Sequence, residues 1–188
     1  KGAASLAASY TNLANPGTYN AAPGTAPTWD ATNGWIFAAA STQWLETGIT
    51  PVNNQTWSGI VRFSNFTGGG LTGCFFGLIQ GPRFAITQTT TNARVFQNGG
   101  FLAVTVGAPT VASGVFAVAG NQGYYNGSTS GGTIPAGGAA FTGTIAIGQT
   151  KETGYNYYLS SYMQAIAIYN TTLTSTQIGL ISTAMAAL

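Results

Sequence analysis

The sequence predicts an all-β chain, a sandwich or barrel, with one short helix at its C-terminus. Two observations carry this. From Gly34 onward short apolar segments recur, separated by Gly, Asn, Thr and Pro, and several of them alternate apolar and polar residues with period two. Helical spacing, by contrast, appears at only one place, after a helix-start signature at Thr174.

Taken in order, residues 2–32 are rich in Ala, Gly, Pro, Asn and Thr, with turn signals at Asn15-Pro16-Gly17 and Ala22-Pro23-Gly24. Residues 1–30 read as an extended arm with room for one short strand, either a loose tail or an arm that grips a neighbouring subunit. Residues 31–188 then form the domain. Its expected strands are Trp35–Ala38, Trp44–Thr47, Trp57–Ser64, Cys74–Ile79, Arg83–Thr87, Ala93–Gln97, Phe101–Val106, Gly114–Ala119, Gln122–Asn126, Gly143–Gly148 and Ser161–Tyr169. In the strand from Trp57, alternation puts Trp57, Gly59, Val61 and Phe63 on one face and Ser58, Ile60 and Arg62 on the other. In the last strand it puts Met163, Ala165, Ala167 and Tyr169 opposite Tyr162, Gln164, Ile166 and Ile168. Gly68-Gly69-Gly70 lacks the Lys and strand–helix context of a phosphate loop and reads as a turn. The helix begins at Thr174-Ser-Thr-Gln177, a capping box, and Ile178, Ile181, Met185 and Leu188 give it an apolar stripe suited to packing on a sheet edge.

Composition bounds the rest. Hydrophobic residues make up 45% of the 188-residue chain, enough for one packed core, whereas charged residues make up only 4%, against a usual share of about 25%. A disordered chain would combine low hydrophobicity with high charge, and no apolar run approaches the roughly 20 residues of a transmembrane helix. What remains is an apolar interior under an uncharged polar surface, expected where surfaces pack against other chains or work outside the cell. The opening Lys1–Ser9 lacks the apolar stretch of a secretion signal, and the missing initiator Met is expected where a longer chain was processed or cut.

The five basic residues Lys1, Arg62, Arg83, Arg94 and Lys151 are scattered, so the clustered phosphate contacts of a nucleic-acid binder are not expected. Cys74 stands alone in an apolar run and reads as a buried small hydrophobe. The chain has no His, which removes Ser-His-Asp and Cys-His catalysis and His-ligated zinc. Asp30, Glu46 and Glu152 are the only acids, and no local pattern pairs them for glycoside hydrolysis. Catalytic residues, metal ligands and cofactors are therefore not expected.

Several passages resemble one family. Tyr162-Met-Gln-Ala-Ile-Ala-Ile-Tyr169-Asn-Thr-Thr-Leu-Thr-Ser-Thr-Gln-Ile178, a strand leading to a closing helix, resembles the ending of laminin-G-like, concanavalin A-like jelly rolls. Tyr124-Tyr125-Asn126-Gly127 is similar to the family's hairpin turn, and Gly143-Thr-Ile-Ala-Ile-Gly148 to the strand that follows it. Asn33-Gly-Trp-Ile-Phe37 and Thr42-Gln-Trp-Leu-Glu-Thr-Gly-Ile49 are similar to its opening strands. The resemblance covers roughly residues 29–188 and implies an antiparallel two-sheet jelly-roll sandwich, usually a non-enzymatic binding module. Phage tail fibres, head fibres and decoration proteins carry such domains with the same Gly/Thr/Asn-rich texture. It thus implies a virion-surface or extracellular subunit whose partners are its own copies, other virion proteins or a cell-surface glycan, without nucleic acid or membrane insertion. The alternative within the same family is a secreted or cell-surface lectin-like module or adhesin domain. Calcium-binding members use several carboxylates, and calcium takes six to eight oxygen ligands; with one Asp and two Glu in the whole chain, only Asp30 with backbone carbonyls is left as a calcium candidate.

For a sugar ligand, aromatic faces with amide and hydroxyl partners are the chemistry to seek. Three places offer it: the loop Tyr155, Asn156, Tyr157 and Tyr158; the turn Tyr124, Tyr125 and Asn126; and Trp29 beside Asp30. Each of these stretches is open to three roles, a glycan site, a contact between subunits, or packing within the fold. The triplets starting at Asn54, Asn65, Asn126 and Asn170 fit the glycosylation sequon, matches that so Asn- and Thr-rich a chain produces by chance.

Overall fold

A computed structural model of the chain describes residues 2–51, 56–67, 73–78, 84–89, 92–97, 100–104, 111–135, 143–150 and 157–188. The expected strand ends at residues 79, 83 and 105–106, the Gly68–Gly70 turn and the Asn54 sequon lie outside them. Two seven-stranded antiparallel sheets stack face to face. The first runs β1 (Ala22–Thr25), β4 (Trp44–Glu46), β13 (Ala146–Ile147), β6 (Gly73–Leu78), β7 (Phe84–Gln88), β8 (Ala93–Gln97) and β9 (Gly100–Val104). The second runs β12 (Ser128–Thr129), β11 (Gln122–Tyr125), β10 (Gly114–Ala119), β5 (Ser58–Ser64), β14 (Ser161–Tyr169), β3 (Gly34–Phe37) and β2 (Thr28–Asp30). Two helices, α1 (Leu6–Ser9) and α2 (Ser175–Ala186), flank the strands in sequence.

Phe63, Phe75 and Phe116 form the centre of the core, with ring centroids 4.5, 4.9 and 5.8 Å apart. Alternation along β5 is as read from the sequence: Trp57, Val61 and Phe63 join the core between the sheets, and Ile60 faces the opposite side. Alternation along β14 is not. A bulge between Met163 and Ala165 adds Gln164 to one strand only, so the residues beyond it exchange faces. Met163 therefore shares the core with Ile166 and Ile168, while Ala165, Ala167 and Tyr169 face out toward α2. A second bulge, between Cys74 and Phe76 in β6, lets the adjacent Phe75 and Phe76 both enter the core. Cys74 is fully buried, and burial pushes its thiol well above the ordinary value.

Three strands were not individually foreseen, although the arm left room for one. β1, β2 and β12 are all edge strands, paired on one side only, so little in their sequences is forced to be apolar. Pro23 in β1 fits such an edge, where its missing N–H costs least. The stretch expected as an extended arm, either loose or gripping a neighbour, makes contacts with its own domain. β1 pairs with β4 and β2 with β3, Leu6 and Tyr10 pack against the core, and Trp35 Nε1 donates to Ser9 Oγ at 2.7 Å. The boundary suggested at residue 30 thus falls at the end of a strand, β2, that belongs to the sandwich.

Two buried glutamines link the sheets. Gln97 Nε2 donates to Trp57 O at 3.0 Å, and Gln88 Nε2 to Val111 O at 2.8 Å. At the C-terminus, Thr174 and Gln177 form the expected capping box. Ile178 and Met185 are buried, and Ile181 packs beside them. Leu188 lies beyond the helix and is exposed. Their seat is the outer face of the second sheet, over Ile60, Val115, Ala117 and Ala119, rather than a sheet edge. That face is apolar along β5 and β10, and the helix is what keeps it from water.

Candidate binding rim

The functional candidates gather at one end of the sandwich, where β5 ends at Ser64 and β14 begins beside it, Tyr162 pairing with Ser64. The chain leaves β5 through Asn65, Phe66 and Thr67, and this segment ties the neighbouring loops together. Phe66 N donates to Ala112 O at 3.0 Å on one side, and Thr67 N donates to Ser160 O at 3.2 Å on the other. The hydroxyls of Thr67 and Ser160 are 2.8 Å apart, and Ser161 Oγ donates to Ser64 O at 2.8 Å. Gln164, the bulged residue of β14, donates through Nε2 to Ser64 Oγ. These bonds hold three loops as one surface, which is what a binding site on loops requires of its scaffold.

On one flank stands the turn from β11 to β12. Asn126 and Gly127 both have left-handed backbones, φ 50° and 82°, as a two-residue hairpin turn demands. Asn126 grips β10 twice: its N donates to Val115 O at 2.8 Å, and its Oδ1 accepts from Val115 N at 2.9 Å. Tyr125 stacks its ring 5.4 Å from that of Phe116, and its hydroxyl donates to Ser113 O at 3.2 Å. Both close on Gly114, where an added side chain would meet Tyr125 Cε2 at 2.5 Å and Asn126 Oδ1 at 3.1 Å. On the other flank lie Tyr158 and Tyr162, both half-buried. Tyr125 on β11 and Tyr162 on β14 are three strands apart, about 14 Å along the sheet, and face opposite sides of it, Tyr125 toward the core and Tyr162 toward the outer face that carries Arg62.

Of the residues expected from sequence, Tyr125 and Asn126 stand on this rim, as does Tyr158. Tyr157 is half-buried beside Tyr158 and donates its N to Thr150 Oγ1 at 3.4 Å. Tyr155 and Asn156 lie outside the described residues, with Lys151 and Glu152. Tyr124 is elsewhere: one residue before Tyr125 it faces the opposite side of the sheet, buried with Ile178 and Met185 beneath α2. Its hydroxyl is pushed above the usual tyrosine value by that burial. Trp29 lies on the far edge strand, partly buried against the core, and Asp30 Oδ1 is occupied by the N–H groups of Thr32 and Asn33. Among the described residues no three of His, Cys, Asp and Glu come together as metal ligands.

Residues missed in the sequence are Arg62, Ser64, Thr67, Ser160 and Tyr162. Arg62 is half-buried on the outer face of β5, and its Nη1 donates to Phe63 O at 2.6 Å and Gly114 O at 3.3 Å. Its place at the end of an alternating strand was the one legible signal.

No family model matches the chain, and no curated protein matches it in sequence. Solved structures do match in fold. A heptameric SAP-like pentraxin of Limulus polyphemus has 16% identity and a TM-score of 0.51, the match covering 74% of this chain and 75% of that one. The CBM40 of the Ruminococcus gnavus IT-sialidase, solved with alpha2,3 sialyllactose, has 12% identity and a TM-score of 0.52 over 69% of this chain and 83% of that one. A Trypanosoma rangeli sialidase has 14% identity and a TM-score of 0.51, and the match covers 77% of this chain but 26% of that enzyme. The fold is the concanavalin A-like, pentraxin-like β-sandwich.

Proposed function

We propose that the chain is a non-enzymatic lectin-type module that binds carbohydrate at the rim formed by Tyr125, Asn126, Tyr158 and Tyr162. The observation that carries the proposal is the gathering of Tyr125, Asn126, Tyr158 and Tyr162 at one end of the sandwich, where the bonds of Asn65–Thr67 tie the loops together. Aromatic faces stack on sugar rings, and amides and hydroxyls fix their orientation. The fold supports the reading, since one neighbour of similar length was solved with a bound oligosaccharide. The non-enzymatic part of the reading is supported by the lack of His and by the placement of Asp30 and Glu46 in different sheets, their carboxylates accepting from the N–H groups of the turns that follow them; Glu152 lies outside the described residues.

A glycan array probed with the wild-type chain and with Tyr125→Ala and Tyr158→Ala tests the reading. Loss of an aromatic anchor is expected to weaken binding roughly tenfold or more. An array with no bound glycan, or binding equal in all three proteins, sinks it.

The second reading is an assembled subunit on a virion surface or outside the cell. Leu13 is 90% exposed and Leu180 68% exposed, on a chain with only 4% charged residues, a surface prone to association. The pentraxin neighbour is itself heptameric. Light scattering after size exclusion decides it; a monomer at all concentrations removes it.

A further inference from the structure

We infer that Arg62 makes this rim an anion subsite, so that the preferred ligand is an acidic sugar whose carboxylate lies against the guanidinium; the inference rests on the carbohydrate-binding reading and narrows its ligand class. Arg62 is a half-buried cation that pairs with no acid among the described residues. The two acids within that set are committed elsewhere. Asp30 is three strands away on β2, about 14 Å, and holds its own turn. Glu46 belongs to the other sheet and accepts from the N–H groups of Thr47 and Gly48.

The hydrogen bonding of Arg62 is also incomplete. A guanidinium has five N–H donors in a planar fork, but its bonds to described residues both come from Nη1, to Phe63 O and Gly114 O. Its Nε is enclosed with no acceptor. A buried polar group is ordinarily satisfied, and a half-enclosed charge ordinarily has a counter-charge. The two carbonyls also fix the head of the side chain at the rim, since Gly114 is the residue around which Tyr125 and Asn126 close. Tyr125 itself packs on the core side of the sheet; the ring on the face of Arg62 is that of Tyr162, which pairs with Ser64 two residues along β5. With Nη1 given to two carbonyls and Nε enclosed, Nη2 is the end left for a ligand, and a carboxylate oxygen is the acceptor that answers its charge. A neutral sugar leaves this charge unanswered, and a lysine lacks the guanidinium that the two carbonyls position.

The experiment compares a trimer of galacturonate with its fully methyl-esterified form, which keeps the sugar ring and removes the charge. Affinities are measured calorimetrically for the wild-type chain, Arg62→Gln and Arg62→Lys, with thermal unfolding to confirm that each variant is folded. The wild type is expected to prefer the acid about tenfold or more, Arg62→Gln to lose that preference while still binding the ester, and Arg62→Lys to recover only part of it. Equal affinity of the wild type for acid and ester overturns the subsite and leaves the carbohydrate-binding reading intact. A preference that persists in Arg62→Gln also overturns it, placing the charge elsewhere. If neither trimer binds and the array is blank as well, both readings fall. Should Arg62→Gln fail to fold, Arg62→Lys alone decides, since a preference unchanged from wild type counts against a role for the positioned guanidinium.

Discussion

Ile60 and Arg62 project from the same strand to the same side of the same sheet, two residues apart, and meet opposite fates. Ile60 is fully buried beneath α2 with Val115 and Ala117. Arg62 lies past the helix, fixed by two backbone carbonyls, with part of its surface still open. The helix covers the apolar stretch of the face and leaves the polar stretch at the rim bare. Tyr124 and Tyr125 divide differently along β11: the first is packed under the helix, and the second faces the core side, its hydroxyl anchored at the rim. One region of the outer face is thus spent on stability and the next is left open, and how far α2 reaches along that face decides which residue lies in which.

That division is open to being broken from either side. Ile178→Ala, which empties the helix side, is expected to cost about 2–4 kcal/mol of stability in a denaturant titration while the folded protein binds sugar as before. A parallel loss of affinity would show that the two regions are one unit. Tyr125→Phe keeps the ring against Phe116 and removes the bond to Ser113 O. Its stability cost should be about 1 kcal/mol, with a larger relative effect on glycan affinity than Ile178→Ala. Thr174→Ala removes the capping bond of α2 and should cost about 1 kcal/mol or slightly less, again with no change at the rim.

The smallest effect concerns alkaline pH. Burial raises the Tyr124 hydroxyl and the Cys74 thiol above their ordinary values. The unfolded chain therefore loses these protons first, from about pH 8.5 for Cys and about pH 10 for Tyr. Stability from this source is fully present below those values and declines as pH rises through them. Unfolding midpoints between roughly pH 8 and 11 should show the decline; Tyr10 is raised by burial as well, so Tyr124→Phe should lessen the part above about pH 10 without abolishing it. A fall in Tyr124→Phe identical to that of wild type would mean the tyrosine is not the source.

Much of this architecture was legible in the order of residues. Strands such as β5, β8 and β10 carry enough β-branched and aromatic residues at period two to be read directly, and the capping box of α2 depends on four consecutive residues. The edge strands β1, β2 and β12 were not legible one by one, because pairing on one side lets Ala22-Pro23-Gly24-Thr25 serve where a central strand could not. Nor were the bulges at Phe75 and Gln164, since a bulge is a relation between two strands and only one of them is visible at a time. At the candidate rim, the aromatic–amide stretches stood out by composition. Arg62, Ser64 and Ser160 did not, because nothing local distinguishes them from ordinary surface residues.

The sequence by itself determined the fold class, the closing helix and its cap, the buried Cys74 and the absence of histidine chemistry, all of which follow from local pattern or composition. The tertiary structure alone decided that β14 exchanges its faces at Gln164 and that residues 2–30 lie on their own domain. It also decided that Tyr125 and Tyr158, 33 positions apart in the chain, lie at the same end of the sandwich as Arg62. The physical reason is that these outcomes depend on contacts between residues far apart in sequence, where register and burial are settled jointly by several strands. No single segment carries that information.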